Sequence, residues 1–194
     1  MLPITTLIKK LRKNMDWVAL FNLVNSVEDL NSNQDRFLKS VYIETAFADF
    51  SAGLMVYING HGQDWKVANN DTTVEGKFVK GGLFTKIGHN LKETVSPLEL
   101  FNCRVGSMKK TLPKNYSPYI ILIDSRGCAI VETAKVKKYI KFGGSGIQLK
   151  GCPVSLFTIL YEVPRGTKFK KPKKSAKKIM EAGIKSYVAQ FKTK

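Results

Sequence analysis

Gly62-Gln63-Asp64-Trp65-Lys66-Val67, followed by Thr72-Thr73-Val74-Glu75-Gly76-Lys77, is the stretch on which the reading of this chain turns. Each is a short run with apolar residues, and Ala68-Asn69-Asn70-Asp71 between them is a turn-forming cluster. Read as strands, the two runs make a hairpin whose pairing brings Asp64 near Glu75. Side chains alternate faces along a strand, so Glu75 and Lys77 point one way and Gly76 the other. Two carboxylates and an ammonium then converge on one spot. Neighbouring carboxylates repel, and a divalent cation relieves the repulsion. Carboxylate, carbonyl and water oxygens favour Mg²⁺. Gly60 and Gly62, just ahead of Asp64, suit a chain turning into a strand beside a phosphate.

A site of that kind fits phosphodiester hydrolysis. The metal polarises the phosphate and lowers the pKa of a bound water, while a lysine orients that water or offsets developing charge. The pattern alone is common in lysine-rich chains, so composition matters. The chain carries 32 Lys and Arg against 15 Asp and Glu, a net charge of +17. That surplus favours a polyanion as partner, nucleic acid first and an anionic membrane surface second. No apolar run approaches the roughly 20 residues of a membrane span. Lys9, Lys10, Arg12 and Lys13 interrupt the N-terminal apolar residues too early for a signal peptide. No membrane partner is therefore expected. Cys103, Cys128 and Cys152 are widely spaced and odd in number, with no CxxC, which argues against a disulfide framework and against zinc. They read as reduced core residues of an intracellular, cytoplasmic protein.

With 194 residues and 43% hydrophobic content, one globular domain spanning 1–194 is expected. Ile4, Leu7, Ile8, Leu11, Met15 and Val18 recur at helical spacing, predicting one helix over 3–24 within a helical segment 1–30. It packs either on its own core or outside the domain as a dimer element. Asn31-Ser32-Asn33 reads as an N-cap cluster for a helix over 35–50 that contains Glu44. Glu44 is either a further acid aimed at the metal or a solvated glutamate. Leu54–Ile58 reads as a strand. Ser96-Pro97 predicts a helix carrying Leu98, Phe101, Asn102 and Val105. Pro118–Ile123 reads as the clearest buried strand, and Cys128–Glu132 as its hairpin partner across Asp124–Gly127. Val136–Ile140 is a short basic helix or strand, Gly143–Gly146 a flexible loop, and Pro153–Leu160 a strand. A lysine-rich tail, 166–194, ends the chain as a basic extension whose last helix starts near Ser175.

This order of elements resembles the PD-(D/E)xK nuclease superfamily, and within it the small homodimeric, blunt-cutting type II restriction endonucleases. The resemblance rests on Asp64, Glu75 and Lys77, with ten residues between the acids, on the upstream helix with Glu44, and on the glycine turn. It continues through Thr85-Lys86 to His89-Asn90, Tyr119–Glu132 and Pro153-Val154, and covers roughly 35–170. Gln63 stands where the family pattern has Pro. The resemblance implies an α/β (α+β) fold, a central mixed β-sheet flanked by helices in a restriction-endonuclease-like core, with 35–165 as the catalytic core. It implies Mg²⁺ held by Asp64, Glu75 and the Gly76 carbonyl, with Lys77 positioning or activating the attacking water. The products would be a 5′-phosphate and a 3′-hydroxyl. Asp71 rivals Asp64 as the first acid, although it stands within the turn. Asp124 and Glu132, with Lys135, form a second, weaker acid set whose lysine falls on the opposite strand face.

Sequence reading of double-stranded DNA would fall to Lys86, His89 and Asn90, and to Ser145, Gln148 and Lys150, because Lys suits guanine edges and Asn or Gln adenine. A homodimer would match a palindromic site, and a cognate DNA methyltransferase would protect the host's own DNA. Two other readings compete: a structure-selective repair or junction nuclease of the same fold, and a non-enzymatic basic nucleic-acid-binding protein.

Overall fold

The fold, seen in a computed structural model, is described for residues 1–27, 33–60, 62–79, 83–84, 93–95, 98–102, 112–143, 146–169, 178 and 181, with the side chains of 33–37, 59, 101–102 and 143 excepted. Helices α1 (Ile4–Asn14), α2 (Trp17–Ser26) and α3 (Asn33–Asp49) precede a hairpin series β1 (Met55–Gly60), β2 (Gln63–Val67) and β3 (Thr73–Phe78). Then come β4 (Leu98–Asn102), β5 (Tyr119–Ile123), β6 (Gly127–Glu132), a helical turn α4 (Thr133–Val136), β7 (Ile140–Gly143), β8 (Gly146–Leu149) and β9 (Thr158–Glu162). Six strands form one mixed sheet in the order β1-β2-β3-β5-β6-β9, and β4-β8-β7 form a smaller antiparallel sheet. All neighbours in the large sheet are antiparallel except β3 and β5, which run parallel. The expected α+β class with a central mixed sheet and helices holds.

Tyr-Ile-Ile-Leu-Ile of β5 is buried throughout, as a central strand covered on both faces must be. Its alternation divides two cores. Tyr119, Ile121 and Ile123 join Cys128 and Ile130 against α1, α2 and α3. Ile120 and Leu122 join Ala129 and Val131 against Leu100, Leu149 and Phe157 on the side of the small sheet. Cys128 and Cys152 are buried thiols, and Cys103 lies outside the described residues.

Three expectations change. The single N-terminal helix is two, because Asp16 leaves the first and caps the second, its carboxylate accepting from the Ala19 amide at 3.0 Å. Its own amide donates to the Phe50 carbonyl at 2.9 Å. Leu7, Ile8 and Leu11 are buried in the helical core, so the alternative in which this segment packs on its own domain is the one observed. The stretch after Pro97 is strand β4, not helix: Leu98 and Leu100 alternate as well as Leu98 and Phe101 repeat, and pairing with β8 decides between the two. Pro153–Leu160 divides into a 3₁₀ turn over Val154–Leu156 and then β9. The expected tail helix lies outside the described residues, apart from Lys178 and Glu181.

Gly76 illustrates how tightly the first core closes. A Cβ built on it would sit 2.3 Å from Cη2 of Trp65, which is itself wholly buried. Gly76→Ala is therefore expected to cost about 1–3 kcal/mol of stability by overpacking, read as a lower denaturant midpoint. An unchanged midpoint would mean that the indole does not press on this strand.

Candidate functional site

Trp65 decides where the acids meet. Its indole lies across Gly76 and beside Phe47 of α3, with ring centroids 4.5 Å apart. Its Nε1 donates to the Glu44 carbonyl at 2.7 Å. One side chain thus fixes α3 against β2 and β3, and with it the position of Glu44.

The β2–β3 ladder pairs Trp65 with Val74 and Lys66 with Thr73. At Asp64 a side chain takes over: its Oδ2 accepts from the Gly76 amide at 2.7 Å. The amide and carbonyl of one strand residue face the same edge, so the Gly76 carbonyl opens toward Asp64 as well. Glu75 and Lys77 stand on the strand face opposite Trp65, and the Lys77 ammonium pairs with Glu75 Oε1. Glu44 Oε1 accepts from Ser40 Oγ at 2.5 Å, and Tyr57 lies close enough to oppose part of the rise in this carboxyl's pKa. The structure therefore brings Asp64, Glu75, Lys77 and Glu44 together from three elements.

Their electrostatics follow from enclosure. Glu75 and Asp64 are 2% and 8% exposed, too little for water to stabilise two charges. Burial, with Asp64 and Glu44 nearby, pushes Glu75 up to about 8 against the pull of Lys77. Burial and the Asp64 charge push Glu44 up to about 7. Asp64 is raised by burial, opposed by Lys77 and by the Gly76 amide. Burial works against the Lys77 ammonium, but the carboxylates of Glu75, Asp64 and Glu44 outweigh it and raise its pKa. Lys77 thus stays charged at neutral pH. Glu75 Oε2 finds no donor among the described residues, and a protonated Glu75 can instead donate to Asp64.

Among the described residues, no three His, Cys, Asp or Glu side chains are arranged as a metal-holding group. The possible oxygen set is smaller: the Asp64 carboxylate of β2, with the Glu75 carboxylate and the Gly76 carbonyl of β3. That set fits a hard cation retaining several waters.

The rival acids go elsewhere. Asp71 stands in the turn with its side chain 97% exposed, paired with Lys66 at 2.9 Å, far along the hairpin from Asp64. Lys66 holds its carboxyl below the usual range, first by hydrogen bonding and then by charge. Asp124 is a loop staple: its carboxylate accepts from the amides of Leu83, Phe84, Arg126 and Gly127. Glu132 lies at the other end of that hairpin, opposite Tyr119. Lys135 falls in α4 rather than on a strand, so the expected opposite-face geometry gives way to a surface pair with Glu132 at 3.2 Å. Of the DNA-reading candidates, Gln148 lies on β8 between Glu99 and Lys141, and Lys150 is exposed just beyond it, both on the small sheet and apart from the acid strands. Lys86, His89, Asn90 and Ser145 lie outside the described residues.

Spacing did not reveal Trp65, Tyr57 or Tyr116 as parts of this site. Tyr116 feels the charges of Glu75 and Asp64, and burial, then those two charges, push its phenol far up. It arrives from a loop distant in sequence. No protein-family model, curated protein or solved structure matches this chain.

The raised acids make stability depend on pH. Folding favours the protonated forms, so their contribution is complete below the ordinary glutamate value of 4.5 and is lost as pH rises toward about 8. In EDTA, the melting temperature should fall between pH 5.5 and 8.5. Glu75→Gln should flatten that fall and melt higher at pH 8.5, by about 1–3 kcal/mol or several degrees for a domain of this size. Equal slopes for the two proteins would show that the acids are not enclosed together.

Proposed function

We propose that the chain is a Mg²⁺-dependent endodeoxyribonuclease of type II restriction character, hydrolysing phosphodiester bonds of double-stranded DNA at a short, palindromic site. The observation that carries this reading is the meeting of Asp64, Glu75 and Glu44 around Lys77 in a place too enclosed to hold three bare carboxylates. Protons relieve part of this charge, and a divalent cation on Asp64 and Glu75 would relieve the rest. The antiparallel series β1-β2-β3 followed by parallel β5 supports the finer fold reading, a restriction-endonuclease-like core. The net charge of +17 supports a polyanionic substrate.

In this reading Asp64, Glu75 and the Gly76 carbonyl hold Mg²⁺. When bound, the ion supplies Lewis-acid polarisation of the phosphate and neutralises charge on its oxygens. Asp64 is oriented for this by the Gly76 amide. Lys77 acts as a cation rather than a base, because the carboxylates keep it protonated. It orients the attacking water and stabilises charge that develops on the phosphate oxygens. Glu44, held by Ser40 and by the Trp65 bond to its backbone, is an accessory acid that adjusts the charge of the pair. Water would attack phosphorus and the P–O3′ bond would break; the water's proton would pass to solvent and the departing 3′-oxygen would take one up from solvent, leaving a 5′-phosphate and a 3′-hydroxyl.

A homodimer, a cognate methyltransferase and an intracellular setting accompany this class of activity. No helix among the described residues is long and apolar enough to cross a membrane.

Phage-length duplex DNA incubated with Mg²⁺, and in parallel with EDTA, tests the proposal. Discrete Mg²⁺-dependent fragments are expected. A smear would favour a structure-selective nuclease, and intact DNA shifted on a gel in both tubes would favour a binding protein. Asp64→Ala and Glu75→Ala should each slow cleavage about 10²–10⁴-fold and weaken Mg²⁺ binding. Lys77→Ala should spare metal binding and abolish turnover. Full activity in Glu75→Ala would remove the site from consideration.

A further inference from the structure

Tyr116 is locked in place by backbone rather than by its own hydroxyl. Its ring lies on Gly62, where a Cβ would come within 2.4 Å of Cδ2. Gly62 adopts φ +75, so a glycine there serves both the left-handed backbone and the ring. The clamp continues on either side. The Ser117 amide donates to the Gly62 carbonyl and the Tyr116 amide to the Pro113 carbonyl, each at 3.0 Å, and the Gln63 side-chain amide donates to the Asn115 carbonyl. Gly62 and Gln63 immediately precede Asp64, so the clamp binds the tyrosine loop to the strand that carries the first acid.

At the end of this fixed ring the hydroxyl is enclosed and has no hydrogen-bond partner among the described residues. An enclosed hydroxyl without a partner is costly. The cheapest structural solution stands nearby, because Glu75 Oε2 also lacks a donor. The two do not pair. The phenol is thus a donor without an acceptor, fixed by the packing of its ring on Gly62, and it suits an acceptor oxygen that arrives from outside. A phenol is a neutral hydrogen-bond donor at ordinary pH.

We infer that Tyr116 is a substrate-contacting residue: its hydroxyl donates a hydrogen bond to a non-bridging oxygen of the phosphodiester held beside Asp64 and Glu75. This rests on the nuclease reading and adds a neutral donor to it, alongside the cationic Lys77. A donor on a non-bridging oxygen helps bind the phosphate and strengthens as charge grows on that oxygen.

The test compares wild type, Tyr116→Phe and Ser117→Ala. The Ser117 hydroxyl is likewise buried without a partner, but it has no share in the proposed machinery and serves as the control. Melting temperature is read in EDTA, duplex binding in Ca²⁺, and plasmid cleavage in Mg²⁺. Tyr116→Phe should melt at or above the wild-type temperature, because it removes an unsatisfied group. It should bind duplex DNA roughly 3- to 10-fold more weakly and cleave roughly 10- to 100-fold more slowly. Ser117→Ala should match wild type in binding and cleavage. A lower melting temperature for Tyr116→Phe would show a structural partner and overturn the inference, as would wild-type binding and cleavage. If wild type binds duplex but cuts no DNA, the nuclease reading falls while the binding arm still decides the role of Tyr116. If wild type neither binds nor cuts, both fall.

Discussion

The indole of Trp65 is the contact on which the rest of the arrangement depends. It is wholly buried, lies on Gly76, stacks at a tilt on Phe47, and gives its only hydrogen to the backbone of Glu44. Those contacts tie one helix to two strands. A smaller side chain at 65 would leave α3 without its register on the sheet, and a larger one at 76 would find no room. Aromatic groups suit this role because they combine a large buried area with one directional donor.

On the opposite face of the same strands, enclosure sets the chemistry. Carboxylates at Asp64 and Glu75 would be ordinary if solvated. Placed within the sheet, with Glu44 entering from the helix, they compete for protons and for Lys77. Desolvation is the largest cause in each acid, and the single nearby ammonium does not balance three negative groups. The cluster is thus a store of unfavourable charge that a cation or protons must relieve. Asp124 makes the contrast: also buried, it is satisfied by four backbone amides and needs nothing more.

The central acids of the candidate site, Asp64 and Glu75, sit on paired strands rather than on loops. Asp64 replaces a ladder bond where β2 and β3 cease to pair, so its carboxylate is oriented by backbone. Gly62 and Tyr116 then close the neighbouring end through ring-on-backbone contact. Groups held in this way change little when a ligand arrives, and the proposed phosphoryl chemistry would call for such preorganisation.

Local chemistry made part of this legible in advance. The hairpin from Asp64 to Lys77, the buried strand Tyr119–Ile123 and the helix carrying Glu44 are visible in the chain because alternation, turn residues and helical period are short-range signals. Strand alternation alone puts Glu75 and Lys77 on one face and Gly76 on the other. The same signals are ambiguous where an element is short: Leu98–Asn102 fits either period, and only its partner β8 made it a strand. Asp16 shows a second limit, since a capping side chain divided a helix whose apolar spacing ran on without a break. What no spacing carries is contact across the fold. The parallel pairing of β3 with β5, the seat of Trp65 between Gly76 and Glu44, and the approach of Tyr116 to the acids depend on which surfaces exclude water together. The sequence by itself determined which groups carry charge and which face of a strand they share. Tertiary structure alone decided how far those charges lose their water, because desolvation is a property of everything packed around a group and not of its neighbours in the chain.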